Sequence, residues 1–143
     1  MVCALAVGCG DDSENLAPFV GAFRYTEGEM SASCSGVRNS VPISGIEVDI
    51  AQRSADELEY TAGPRCSVRF RVRGSKASVL PGQSCEMAVE QTSARGDFSF
   101  GELVVVSGGL THFATGTAEA LVPQQPEAFA CERFQISGTL TRQ

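Results

Sequence analysis

The chain has 143 residues, a formal net charge of −6 and an isoelectric point near 4.7, a length that suits one domain with its own core. An acidic balance opposes nucleic acid, whose phosphates select a basic face, so no nucleic-acid partner is expected. No apolar run approaches the ~20 residues that a membrane-spanning helix requires.

The N-terminus carries the most specific pattern. Leu5-Ala6-Val7-Gly8-Cys9 is followed at once by Gly10-Asp11-Asp12-Ser13-Glu14-Asn15. A short apolar run closes on small residues, then comes a cysteine, then a polar tether. This order resembles the end of a bacterial lipoprotein signal peptide, in which a peptidase holds the small residues extended in a narrow groove. The resemblance implies that residues 1–8 are the remnant of a leader and that Cys9 is the lipid attachment site. It also implies an envelope protein, periplasmic or surface-exposed, held to a membrane by several acyl chains. Only eight residues precede Cys9 and none is basic, so a basic n-region is expected further upstream. The other reading of this stretch is a buried apolar strand with a core cysteine. Residues 9–17 are assigned to the acylated cysteine and tether, and 18–143 to a single disulfide-bonded domain.

Beyond the tether the pattern is that of strands. Candidates fall at 19–26, 29–35, 45–52, 57–62, 66–73, 76–80, 85–92, 97–107, 110–121 and 129–141, separated by turn residues such as Glu27-Gly28, Gly36, Gly63-Pro64, Gly74-Ser75 and Pro81-Gly82. Alternation is clearest at Val68, Phe70 and Val72, which interleave with Arg69, Arg71 and Arg73. Ile46, Val48 and Ile50 alternate with Glu47 and Asp49 in the same way, giving one face to the core and one to water. In the eighth candidate Phe98 and Phe100 share one face while Leu103 and Val105 take the other, so a bulge is expected at Gly101-Glu102. No segment keeps a helical period. The fold class is therefore all-β: an antiparallel up-and-down barrel of about eight to ten strands, with a two-sheet sandwich as the alternative.

With Cys3 in the leader and Cys9 acylated, Cys34, Cys66, Cys85 and Cys131 remain. An even number in a small exported domain reads as a disulfide framework, and four cysteines allow three pairings. Their wide spacing lacks the close pairs of a zinc site. A two-residue hairpin at Gly74-Ser75 sets Arg73 opposite Lys76 and brings Cys85 near Cys66. Cys34 is then left to meet Cys131, a pairing that fits the closure of a barrel, in which first and last strands lie side by side.

Gly21-Ala22-Phe23 resembles the Gly-x-Trp strand that opens lipocalin-like barrels, with Phe in place of Trp. The resemblance implies an arginine from the far end of the chain against that ring, Arg133 or Arg142, and a small apolar or amphipathic ligand within the barrel.

Chemistry is sparsely represented. His112 is the only histidine; with no nucleophile motif beside it, it is expected at the surface or the barrel mouth. Glu27-Gly28-Glu29 and Asp56-Glu57-x-Glu59 read as solvated turns, lacking the spacing of a calcium loop. No enzyme activity, metal or cofactor is expected. Arg69, Arg71 and Arg73 form a stripe that suits an anion, or else pair with acids on neighbouring strands. The functional expectation is a membrane-anchored envelope lipoprotein with a non-catalytic structural or interaction role, including inhibition of a protease. The alternative is a lipocalin-like binder of a small ligand.

Overall fold

A computed structural model describes residues 14–34, 36–89, 92–122 and 125–143, with side chains described outside 87–93 and 120–130. Leu5 to Cys9 lie outside the described residues. The described residues form ten antiparallel strands: β1 (Gly21–Cys34), β2 (Val37–Pro42), β3 (Glu47–Gln52), β4 (Glu57–Thr61), β5 (Ser67–Arg73), β6 (Lys76–Val79), β7 (Ser84–Val89), β8 (Thr92–Val106), β9 (Gly109–Val122) and β10 (Gln125–Arg142). Eight close a barrel in the order β1-β3-β4-β5-β6-β8-β9-β10, with β10 returning to β1. This is the up-and-down barrel, and closure removes the edges that an open sheet would expose.

The two remaining strands extend one end. β2 continues the column of β3 along the upper half of β1, and β7 continues the column of β6 along β8. Long strands β1, β8, β9 and β10 therefore rise past the short β4–β5 hairpin. The opposite end is closed. There Ala17–Phe19 make a single 3-10 turn that buries Phe19 beneath the barrel. Leu16 is also buried, so packing begins before residue 18, inside the stretch assigned to the tether.

Alternation places the core. On β5, Val68, Phe70 and Val72 are buried while Arg69, Arg71 and Arg73 are exposed. Phe23, Ile50, Leu58, Leu103, Leu110 and Leu140 complete a single apolar cluster. Burial of each such side chain contributes about 2 kcal/mol.

Three expectations need correction. The first is the turn at Glu27-Gly28. One strand runs through it, because Gly28, at φ +152°, lies directly opposite Gly138. A Cβ on Gly28 would come within 2.9 Å of the Gly138 Cα, so glycine here serves a close strand approach. The second is β2, a strand where the turn residues at Gly36 and Pro42 predict a loop. Its mostly exposed Val37-Arg38-Asn39-Ser40-Val41-Pro42 lacks a buried face to betray it. The third is the bulge on β8. The register shifts where Thr115 pairs Phe100 and Gly116 pairs Phe98, so Ser99 is the extra residue. Phe98 therefore packs on the core while Phe100 is 43% exposed against Phe113.

The seam between β1 and β10 is held at both ends. Cys34 lies at disulfide distance from Cys131 with their Cα atoms 4.1 Å apart. At the closed end the Arg142 guanidinium stands 4.8 Å over the centre of the Phe23 ring. It also donates hydrogen bonds to the carbonyls of Val20, Ala17 and Pro18. Arg142, and not Arg133, takes this place, because its inward position pairs directly with Phe23. Cys66 bridges to Cys85, their Cα atoms 4.3 Å apart, tying the β4–β5 turn to β7.

Candidate functional site

Three groups of polar side chains merit comparison: one inside the barrel, one along β5, and one on the outer face of the extension.

Inside, β1 contributes Tyr25, β4 Tyr60 and β9 His112. His112 is 2% exposed, not at the surface or the mouth. It shares the inward face of β9 with Leu110 and Ala114, and it lies opposite Leu103 on β8. The Tyr25 hydroxyl is 2.5 Å from His112 Nδ1 and 2.7 Å from the Tyr60 hydroxyl. The rings fill the barrel axis together with Phe70, their centroids with His112 lying 5.4 to 6.2 Å away.

Burial fixes the protonation of this group. It pushes the His112 pKa down to about 4 and the Tyr60 pKa up to about 12. Tyr25 is raised well above its ordinary value by burial first and by Tyr60 second. At neutral pH all three are uncharged. The Tyr25 hydroxyl bridges His112 Nδ1 and the Tyr60 hydroxyl, donating to one and accepting from the other, so the three groups satisfy one another. An unpaired hydroxyl here would cost about 1–3 kcal/mol.

The β5 arginines point outward and meet carboxylates. Arg71 pairs with Glu57 at 3.0 Å and Asp56 at 3.5 Å, and Arg73 pairs with Asp56 at 3.2 Å. Arg69 sits opposite Glu59 on β4. The Ser67 hydroxyl, then Arg53 and Arg69, hold the Glu59 carboxyl below its ordinary range. The stripe is thus laced to a parallel row of acids, each exposed pair contributing under about 1 kcal/mol.

The third group is a cleft of about 240 Å³ on the outer face of β1, β2 and β10. Two cross-strand rows build it. Ser33 lies between Arg38 and Arg133, and Ser31 lies between Ser40 and Gln135. Directly opposed residues share a face, so these side chains project together, away from Ala32 and Phe134 on the inner side. A register shift at Glu132 inserts one extra residue beside Arg133 and widens the rim. Ser31 is only 7% exposed, and Arg38 reaches its hydroxyl at 3.4 Å. The Cys34–Cys131 bridge pins the adjoining position of both strands.

Sequence reading missed the cleft and the interior group for different reasons. Ser31 and Ser33 lie two apart, a spacing that places them on one face, but their partner Arg38 belongs to the unrecognised β2. The interior group needs register: nothing in the sequence aligns positions 25, 60 and 112. Compared with protein-family models, with curated proteins and with solved structures, the chain matches none.

Proposed function

We propose that this chain is a lipid-anchored protein of the bacterial cell envelope whose barrel acts through its outer surface, in a structural or interaction role without catalysis. The observation that carries this reading is the filled interior. Tyr25, hydrogen-bonded to both Tyr60 and His112, and Phe70, packed against the rings of Tyr60 and His112, fill the interior, the place where a ligand-carrying barrel keeps its cavity. The pairs Cys34–Cys131 and Cys66–Cys85 support an oxidising compartment, and the Leu5–Cys9 pattern supports the anchor. Mass spectrometry of the protein from its native membrane tests this: a diacylated or triacylated peptide beginning at Cys9 is expected. An uncleaved, unmodified N-terminus refutes the anchor.

A lipocalin-like binder is the second reading, favoured by Arg142 over Phe23 at the closed end. That likeness concerns the barrel base, whereas ligand capacity depends on the middle. Titration with a fluorescent fatty acid distinguishes the two. Saturable binding that His112→Ala strengthens supports the binder; no saturable binding supports the surface role.

A further inference from the structure

We propose that the cleft between β1, β2 and β10 is a binding site for a phosphate or sulfate ester of monosaccharide size. This inference rests on the reading that the barrel works through its outer surface, and it names the place and the ligand chemistry.

The first observation is how positive charge is paired on the barrel. Of eleven basic residues, seven pair with carboxylates: Arg24, Arg53, Arg65, Arg71, Arg73, Lys76 and Arg95. Arg142 is spent on backbone carbonyls at the closed end, and Arg69 faces Glu59. Arg38 and Arg133 are left, with no carboxylate within ion-pair distance among the described residues. Both line the same cleft. In a protein of net charge −6, acids to neutralise them are plentiful, and elsewhere on the barrel they are used.

The second observation is geometric. Arg38 and Arg133 flank Ser33 from the two neighbouring strands, so their Cα atoms stand ~10 Å apart, two strand spacings. Both guanidiniums and the Ser33 hydroxyl project on one face of the sheet, and Arg38 already donates to the Ser31 hydroxyl at its floor, so donors can reach a bound group from two sides. Donors arriving from several directions match a tetrahedral oxyanion. The third observation is size and lining. At about 240 Å³ the cleft falls below the span of drug-sized pockets and suits a small ligand. Glu132 and Gln135 add its remaining polar side chains, with Ala32 and Phe134 also lining it. A carboxylate repels a second anion but accepts hydrogen bonds from hydroxyls, and the Gln135 amide both donates and accepts them, so the remainder of the ligand is a polyol.

The test is an amide-resolved NMR titration of the full, oxidised chain with glucose 6-phosphate, glucose 6-sulfate, inorganic phosphate and glucose. Saturable shifts centred on residues 31–33, 38–40 and 133–135 are expected with the two sugar esters. Their relative affinity says whether phosphate or sulfate is preferred. Inorganic phosphate, which lacks the hydroxyls that Glu132 and Gln135 would hold, is expected to bind at least about fivefold more weakly, and glucose, which lacks the charge, not at all. Arg38→Ala and Arg133→Ala are each expected to weaken binding about tenfold, with Arg38→Lys intermediate because it keeps charge and loses the fork. Arg69→Ala, on the paired stripe, is expected to change nothing. No saturable binding at millimolar ester overturns the proposal, as does an equal loss on Arg69→Ala or inorganic phosphate binding as tightly as the esters. Shifts at Tyr25 and His112 in place of the cleft would defeat the outer-surface reading as well. Silence at both places would defeat this inference alone.

Discussion

Acid should weaken this barrel through His112. The imidazole is neutral in the fold because burial holds its pKa near 4, against 6.5 for a solvated histidine. Between those values the unfolded chain binds a proton that the native chain refuses, so unfolding gains free energy as pH falls. The stabilising contribution is therefore complete above pH ~6.5, declines through the window down to ~4 and levels off below it. At about 1.4 kcal/mol per pH unit the loss reaches at most about 3 kcal/mol, a large share of the 5–15 kcal/mol typical of a whole domain. Urea unfolding at intervals from pH 7.5 to 3.5 measures it, using the wild type and His112→Leu. Glu47 and Glu59, whose carboxyls partners hold below the ordinary range, also lose stability in acid. They do so equally in both proteins. The difference between the two curves isolates the histidine: the wild-type curve should fall more steeply between pH 6.5 and 4. Parallel curves would refute a buried, neutral His112.

Other consequences can be measured directly. The chain holds two tyrosines and no tryptophan. Both tyrosines are buried, so the tyrosinate band should stay absent near pH 10 and emerge only at about 12 or on unfolding. A band rising at pH 10 with native circular dichroism would contradict the Tyr25–Tyr60 bond. Arg142→Ala removes three carbonyl contacts and the ring contact with Phe23; a loss of about 2–4 kcal/mol is expected by chemical denaturation. Arg142→Lys should recover little, because an ammonium cannot present the planar fork. Replacing Cys34 and Cys131 together should cost about 5 kcal/mol, and Cys66 with Cys85 about 3 kcal/mol. The ordering follows from loops of 97 and 19 residues, and a reversed order in thermal melts would count against it. Gly138→Ala should destabilise by at least 1 kcal/mol, since its Cβ would lie 3.0 Å from the Tyr25 ring; an unchanged Tm would show that the strands can part there.

Legibility in the sequence tracked how local each determinant is. Val68 to Arg73 state their own pairing, because alternation within one strand reports which face is buried. The Gly74-Ser75 turn likewise fixes Arg73 opposite Lys76. Gly28 misled because a glycine that allows a close strand approach looks, in one dimension, like a glycine that makes a turn. Only Gly138, far along the chain, reveals the difference. Phe100 misled because a bulge can sit at any of several residues without changing the composition. His112 misled most. A lone histidine usually prefers water, and what reverses that preference is two tyrosine hydroxyls from distant strands. The cleft stayed hidden behind β2, a strand whose partner, and not its own pattern, makes it a strand.

The division of β1 between a sealed base and an extended rim sets a distance. The chain enters at the base, beside Phe19 and Gly21, while Ser33 stands at the other end of the same strand. At ~3.3 Å per residue and the usual barrel tilt, that offset is ~30 Å along the axis. On the proposed lipid anchor at Cys9 the base would face the bilayer, and the rim would be carried outward by the barrel itself, a height that owes nothing to the slack of a tether. Such a mount would present the Arg38–Arg133 cleft to the aqueous layer above the headgroups, beyond the reach of the lipid that anchors it.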